Sequence, residues 1–383
     1  MADIDDRWHR IGPDGTKHRT DRYGQGSRWL LRWRDPDGQQ RRKSFKRKAD
    51  AEAYATTIDH GIRSGSYIDP NAGKILVDEW ARQWLRTQTQ LKPTTLNRDD
   101  GILRTYVLPR WENVRLSDVT HGQVQQWVSE LAEKLSAAST TKVHGVFSRI
   151  LKSAVKDGRL ARNPAEDVNL PRARPQEHRY LTHEQVAELA DACEPYGLVV
   201  RFLAYTGLRW GEMAALKTRR IDLDRRRATV AESVTEVSGK LVWGVPKNHE
   251  RRTVPLPRFL VDLLAKHLVD KADDDLVFTA PQGGVLRLRN FRRTFFDHAV
   301  KAIGQPRFHP HALRHTAASL AIASGADVKL VQQMLGHKTA TMTLDLYSHL
   351  FPDRLDDLAD RLDSAACAPN VPQDRERKKD QAT

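Results

Sequence analysis

Two proline- and glycine-bearing connectors limit how this chain can fold. One runs from Gly61 to Gly73; the other is Pro171-Arg172-Ala173-Arg174-Pro175. Proline fixes φ and turns the residue before it away from helix, so the second connector reads as a stiff, basic, turn-forming joint. Together they cut 383 residues into three segments, in keeping with two or three domains at roughly 150 residues each. Each segment then has to bury its own apolar side chains. The expected architecture is multidomain and mainly α with small β elements. A β-ribbon plus helix occupies 1–70, a helical bundle 74–171 and a mixed α/β domain 178–365, and 366–383 is a polar, flexible tail.

In the front segment Trp29 to Arg34 reads as a strand, Asp35-Pro36-Asp37-Gly38 as a turn and Arg41 to Phe45 as the returning strand. A helix begins at Lys48. Arg32, Arg34, Arg41, Arg42, Lys43 and Lys46 lie on or beside this ribbon. A two-stranded ribbon fits the major groove of DNA and flanking cations hold phosphates, so these six are candidate DNA contacts. The competing reading is a solvated charged face. In the middle segment Val77, Trp80, Trp84 and Leu85 form one apolar stripe, and Val143, Val146, Phe147, Ile150, Leu151, Ala154 and Val155 form another. Their three- and four-residue spacing predicts a bundle of roughly four helices. Thr120 with Gln123, and Thr182 with Gln185, have the form of capping boxes. The last segment alternates helices with one short β region, Ala228 to Leu256.

Charge narrows the class of partner. Lys and Arg number 63 against 49 Asp and Glu, a net charge of +14, which favours a polyanion because cations that neutralise phosphates release condensed counterions. No apolar run approaches the roughly 18–20 residues of a membrane span, and MADIDDRWHR has no apolar signal region. Cys193 and Cys367 make neither a disulfide framework nor a metal cluster. The expected location is the cytoplasm, with no membrane partner.

Nucleotide chemistry finds no support, since no glycine-rich phosphate loop of the usual spacing occurs. His311 and His315 have the spacing of a zinc pair, but Ala312 stands where a general-base Glu would be and Arg314 repels a cation. No metal site is expected. What remains is a set of cations at element boundaries. Gly207 ends one apolar helix, so Arg209 falls in the turn before the next, a place suited to an oxyanion or phosphate, with Glu212 three residues on to hold it. Lys247 sits in the turn that feeds a strand ending at Leu256, where an ammonium can protonate a leaving oxygen. Lys240, in the preceding Ser238-Gly239-Lys240 turn, is its rival. His311 and Arg314 share one helix face, His337 follows the helix end at Gly336, and Tyr347 rides a short amphipathic helix.

TGLRWGE, HALRHTAAS and MLGHKTATMTLDLYSH, in that order, resemble the tyrosine recombinase (phage integrase) family, whose signature is Arg, Lys, His-x-x-Arg, His and Tyr. All six positions are occupied. The resemblance spans 178–365. It extends to the bundle, through Leu135-Ser136…Thr140 and Gly158…Asn163-Pro164, and the front segment is similar to the arm-binding domain of integrases that recognise two classes of site. The resemblance implies that Tyr347 attacks a DNA phosphate to form a 3′-phosphotyrosine and that Arg209 and Arg314 clamp the non-bridging oxygens. His311 would act as general base or proton carrier for the tyrosine, Lys247 would protonate the 5′-oxygen and His337 would hydrogen-bond the phosphate. It implies no cofactor, ATP or metal. The implied partners are double-stranded attachment sites, a homotetramer on DNA, a directionality factor and a DNA-bending host protein, and the bound protein would sit on the nucleoid. Asp356 to Leu362 would be a final helix, packed in cis or swapped between protomers. The other readings are a catalytically inactive or architectural DNA-binding protein, and a relative of resolvases or topoisomerases.

Overall fold

A computed structural model describes residues 2–364 apart from 14, 37, 66, 68, 70, 173–178, 247–250 and 351–361, with His349 described by its backbone alone. The chain divides into two units, Met1–Pro175 and Gln176–Thr383. Among the described residues, no helix is long and apolar enough to cross a membrane.

The first unit opens with β1 (Asp3–Asp6), a small hairpin of β2 (His9–Ile11) and β3 (Lys17–Arg19), then β4 (Trp29–Arg34), β5 (Gln40–Phe45) and α1 (Lys48–Arg63). The alternation of Trp29 to Arg34 buries Leu31 and Trp33 against Ile58 and Tyr54 of α1 and turns Arg32 and Arg34 outward. The expected two-stranded ribbon is a three-stranded sheet of order β1-β4-β5. Asp3-Ile4-Asp5-Asp6 is too acidic to read as a strand. It forms one because β4 offers it a backbone edge, with Asp5 paired to Arg32 and Asp6 to Arg28.

The bundle comprises α2 (Val77–Arg86), α3 (Pro93–Ile102), α4 (Leu108–Trp111), α5 (His121–Lys134) and α6 (Ala137–Lys156). A π-turn, Leu103–Val107, joins α3 to α4 as one continuous helix. Pro109 supplies the cause: it has no N–H for the carbonyl of Thr105, and its ring crowds that turn. Thr120 and Gln123 make the predicted capping box. The α6 stripe is buried from Val143 to Ala154, and Phe147 stacks on Trp111 at 5.0 Å and meets Trp127 edge-on at 5.2 Å. Truncating Phe147 to Ala would cost about 3–5 kcal/mol. Asp99, fully buried on α3, accepts from Arg98 and from Arg149 of α6.

The second unit begins with α7 (His183–Ala192), whose Thr182–Gln185 capping box is present, then α8 (Gly197–Thr206) and α9 (Trp210–Ala214). Strands β6 (Ile221–Asp222), β7 (Arg227–Val230), β8 (Ser233–Val237), β9 (Lys240–Gly244) and β10 (Arg252–Pro255) follow. They form two sheets, β10-β7-β6 and the hairpin β8-β9, where the sequence suggests one β region. Ser238 and Gly239 carry φ of 49° and 80°, as a two-residue primed hairpin turn requires. Then come α10 (Arg258–His267), α11 (Leu288–Phe291), α12 (Asp297–Ala302), α13 (Ala312–Ala323), α14 (Val328–Leu335) and α15 (Ala340–Tyr347). Apolar α8 lies at the centre, its Val199, Val200, Phe202 and Leu203 buried with Leu313 and Ala317 of α13. Of the candidate final helix Asp356 to Leu362, only Leu362 is among the described residues.

Candidate active site

The site grows from one buried carboxylate. α8 ends at Gly207 in the left-handed region, φ 65°, where a Cβ would lie 2.7 Å from Leu335 Cδ2; glycine is required on both counts. The chain then re-enters helix with Arg209 as N-cap of α9. The Arg209 backbone N–H donates to Glu212 Oε2 and its Nη1 to Glu212 Oε1, both at 2.9 Å. From β10, Arg252 donates through Nη1 and Nη2 to the same two oxygens at 3.0 and 2.6 Å. Glu212 is 1% exposed. Burial alone would raise its pKa, but hydrogen bonds and charge from Arg252, then Arg209, outweigh it and hold the carboxyl at about 2.

The C-terminal turn of α14 gathers the guanidiniums. Arg252 Nε donates to the Met334 carbonyl at 3.1 Å, Arg314 Nη2 to that of Leu335 at 2.6 Å, and Arg209 Nη2 to that of Gly336 at 3.5 Å. Carbonyls ending a helix lack intrahelical partners and form its negative pole. Three successive ones thus draw in cations from α9, β10 and α13. Gly336, at φ 64°, leaves room for Arg252, whose Cδ would lie 2.9 Å from a Cβ there. Arg314 also donates through Nη1 to the Gly207 carbonyl at 2.6 Å. Among the described residues, the three guanidiniums face one carboxylate, which leaves two excess positive charges. Arg314 is 4% exposed. Its pKa falls to about 9, through burial first and then the neighbouring Arg209 and Arg252, so it stays charged at neutral pH. With five N–H donors per guanidinium, Arg209 and Arg314 keep capacity for an anion.

His337 follows Gly336 and is 9% exposed, its Nδ1 2.9 Å from Thr343 Oγ1. Burial, then Arg314, Arg209 and Arg252, lower its pKa to about 4, so the ring is neutral at pH 7. Tyr347, at the end of α15, is 1% exposed and packs with Ala318, Ile322, Val331 and Leu335. Burial pushes the phenol up to about 12 against the opposing charge of Arg314. Its Oη lies 2.7 Å from Nδ1 of His315.

The structure therefore brings together Arg209, Arg314, His337 and Tyr347. His311 is exposed at the N-cap of α13, and its ring meets that of His315 edge-on at 5.5 Å; the phenol's hydrogen-bond partner is His315. Lys247 lies outside the described residues. Lys240, exposed, starts β9 opposite Val237. Sequence reasoning missed Arg252 and His315. Arg252 reads as one more cation of a basic turn, and only its pairing with Glu212 distinguishes it. His315 had a signal, four residues after His311 and so one turn along the same face, but the comparison with a zinc pair absorbed it.

The six front-segment cations divide by strand register. Arg32 and Arg42 face each other on the solvent side, and Arg34 points the same way. Arg41, opposite Trp33, turns to the helix side and bonds Asp35 and Asp69 at 2.9 and 2.8 Å. Lys43 lies 3.9 Å over the ring of Tyr54, and Lys46 is exposed before α1.

The phage integrase family model matches residues 179–354, and the phage integrase central domain model matches 77–170. A putative prophage phiRv2 integrase of Mycobacterium tuberculosis is 28% identical over 356 residues, covering 88% of this chain and 93% of the relative. A XerC-like tyrosine recombinase of Caldanaerobacter subterraneus is 26% identical over 357 residues, covering 83% and 90%. In fold, the chain is similar to the Tn1549 transposon integrase bound to transposon right-end DNA, with TM-score 0.65, 18% identity and coverage of 76% and 100%. It is similar also to a lambda integrase dimer bound to a core site, with TM-score 0.56, 18% identity and coverage of 91% and 95%. Matched by these models over both its bundle and the unit that gathers Arg209, Arg314, His337 and Tyr347, the chain belongs to the tyrosine recombinase (phage integrase) family.

Proposed function

We propose that the chain cuts and rejoins duplex DNA at attachment sites through a 3′-phosphotyrosine, and so integrates and excises a phage or other mobile element. The observation that carries this reading is the gathering of Arg209, Arg252 and Arg314 on three successive carbonyls beside a buried phenol. Tyr347 Oη attacks the scissile phosphorus, the bond to the 5′-oxygen breaks, and that oxygen takes a proton. One ester replaces another, so no ATP is consumed. Arg209 and Arg314 hold the non-bridging oxygens, whose charge grows in the pentacoordinate transition state. Thr343 donating to Nδ1 of His337 would leave the Nε2–H to face the phosphate. Lys247 is assigned the proton for the leaving oxygen, with Lys240 as its rival. His311 is assigned to the tyrosine's proton.

The front segment, 1–70, is assigned to arm-type sites through Arg32, Arg34 and Arg42, the bundle, 74–171, to core sites and 178–365 to catalysis. The solved lambda integrase tetramer on a Holliday junction supports a homotetramer on two duplexes. A directionality factor and a DNA-bending host protein belong to the same proposal, as does a cytoplasmic location on nucleoid DNA.

The test is incubation with a nicked duplex spanning the element's junction. A covalent adduct on a denaturing gel that Tyr347→Phe abolishes supports the enzyme. A specific shift without adduct would leave an architectural binder.

A further inference from the structure

We propose that His315 accepts the proton of Tyr347 and relays it to solvent through His311. This rests on Tyr347 as the nucleophile, and it specifies a route for the proton rather than a second reaction.

A phenol 1% exposed has no direct path to bulk water, yet its proton must leave as the oxygen bonds to phosphorus. The one group hydrogen-bonded to Oη among the described residues is Nδ1 of His315, at 2.7 Å. His315 is half-buried and His311, one helical turn earlier, is exposed. The two rings meet edge to face at 5.5 Å, and His309 continues the file, stacked on His311 at 6.4 Å. The Ala312 backbone N–H donates to His309 Nδ1 at 3.1 Å, which leaves the His309 proton on Nε2, so the outer end is held by the helix start itself. Imidazoles thus lead from the buried nucleophile to the surface, and imidazole is the side chain whose ordinary pKa lies nearest neutral pH.

The step balances. The Tyr347 O–H bond breaks as Oη forms its bond to phosphorus, Nδ1–H forms on His315, and the resulting imidazolium releases its Nε2 proton toward His311 and water. In rejoining, the 5′-oxygen displaces the tyrosine and the proton returns by the reverse path. Arg314, whose charge already favours the phenolate, stabilises the oxygen as the proton departs.

A merely packed histidine would also satisfy the phenol, so the experiment has to separate basicity from contact. Adduct formation on the nicked duplex is timed with the full chain, and duplex binding is measured for each variant. His315→Gln keeps a side-chain acceptor without a usable base, and His315→Ala removes both. Both variants should bind DNA normally and form adduct about 100-fold more slowly, the lower end of general-base effects. Added imidazole should accelerate His315→Ala, and a fluorinated, more acidic tyrosine at position 347 should restore much of the His315→Gln rate. His311→Gln should slow the step less than either. A His315→Gln variant at the wild-type rate overturns the proposal, and so does a slow variant that neither imidazole nor the more acidic phenol rescues. An adduct that survives Tyr347→Phe instead overturns the assignment of the nucleophile, whatever His315 does.

Discussion

Glu212→Gln tests the electrostatic centre of the site. The wild-type carboxyl is ordinarily near 4.5 and is held at about 2 in the fold. A carboxylate depressed in this way contributes stability above its unfolded value and loses it as pH falls through the folded value. Held at about 2 rather than 4.5, the carboxylate contributes on the order of 3 kcal/mol. The amide matches the shape but offers one acceptor oxygen, without charge, to two guanidiniums that donate through three Nη atoms. Breaking a buried ion pair costs a similar amount, about 3–5 kcal/mol. The second unit of Glu212→Gln should therefore be about 3 kcal/mol less stable at pH 7, or about 6–12 °C in Tm. The gap should shrink from pH 4.5 downward, be nearly gone at pH 2, where half of the wild-type carboxyls are protonated, and close below that. Hydrogen exchange in α8 and α13, followed against pH, reads this unit directly. A gap absent at pH 7, or constant from pH 7 to 2, would refute the reasoning that Glu212 is an ion held by its guanidiniums.

Arg209→Ala and Arg314→Ala should bind the duplex nearly normally yet form adduct about 100- to 1,000-fold more slowly, as loss of an oxyanion-hole donor does; timed adduct gels check this. Arg32→Ala, Arg34→Ala and Arg42→Ala should each weaken arm-site binding and reduce the salt dependence of the affinity by about one phosphate contact. Arg41→Ala should chiefly loosen the front sheet, which thermal melting detects. Deleting residues 1–70 should spare cleavage of core sites and abolish recombination on substrates that carry arm sites. Excess EDTA should leave adduct formation unchanged, and a loss would revive a metal reading of His311 and His315.

What could be read in advance was whatever local chemistry decides. The capping boxes at Thr120 and Thr182, the α6 stripe, the helix ends at Gly207 and Gly336 and the strand Trp29–Arg34 depend on neighbours within about one turn or one hairpin. The order of the motifs singled out Arg209, Arg314, His337 and Tyr347 through the family they resemble, and the fold brings these four side chains together. β1 was illegible because an acidic tetrapeptide has no strand signal of its own and pairs only with an edge formed some 25 residues later. The π-turn needed Pro109 to be seen inside a helix rather than after one.

Long-range convergence lay beyond the sequence. Arg252 is 40 residues from Glu212 and 82 from Met334, and no periodicity connects them. The carbonyls that end α14 gather three guanidiniums only because the backbone of that helix stops where β10, α9 and α13 meet. Residue types and local spacing determined which elements form and which side chains are equipped for phosphoryl transfer. Packing alone decided that His315 touches the phenol, that Arg252 completes the cationic cluster and that Arg41 serves the sheet, because these depend on distances between segments the chain leaves far apart until it folds.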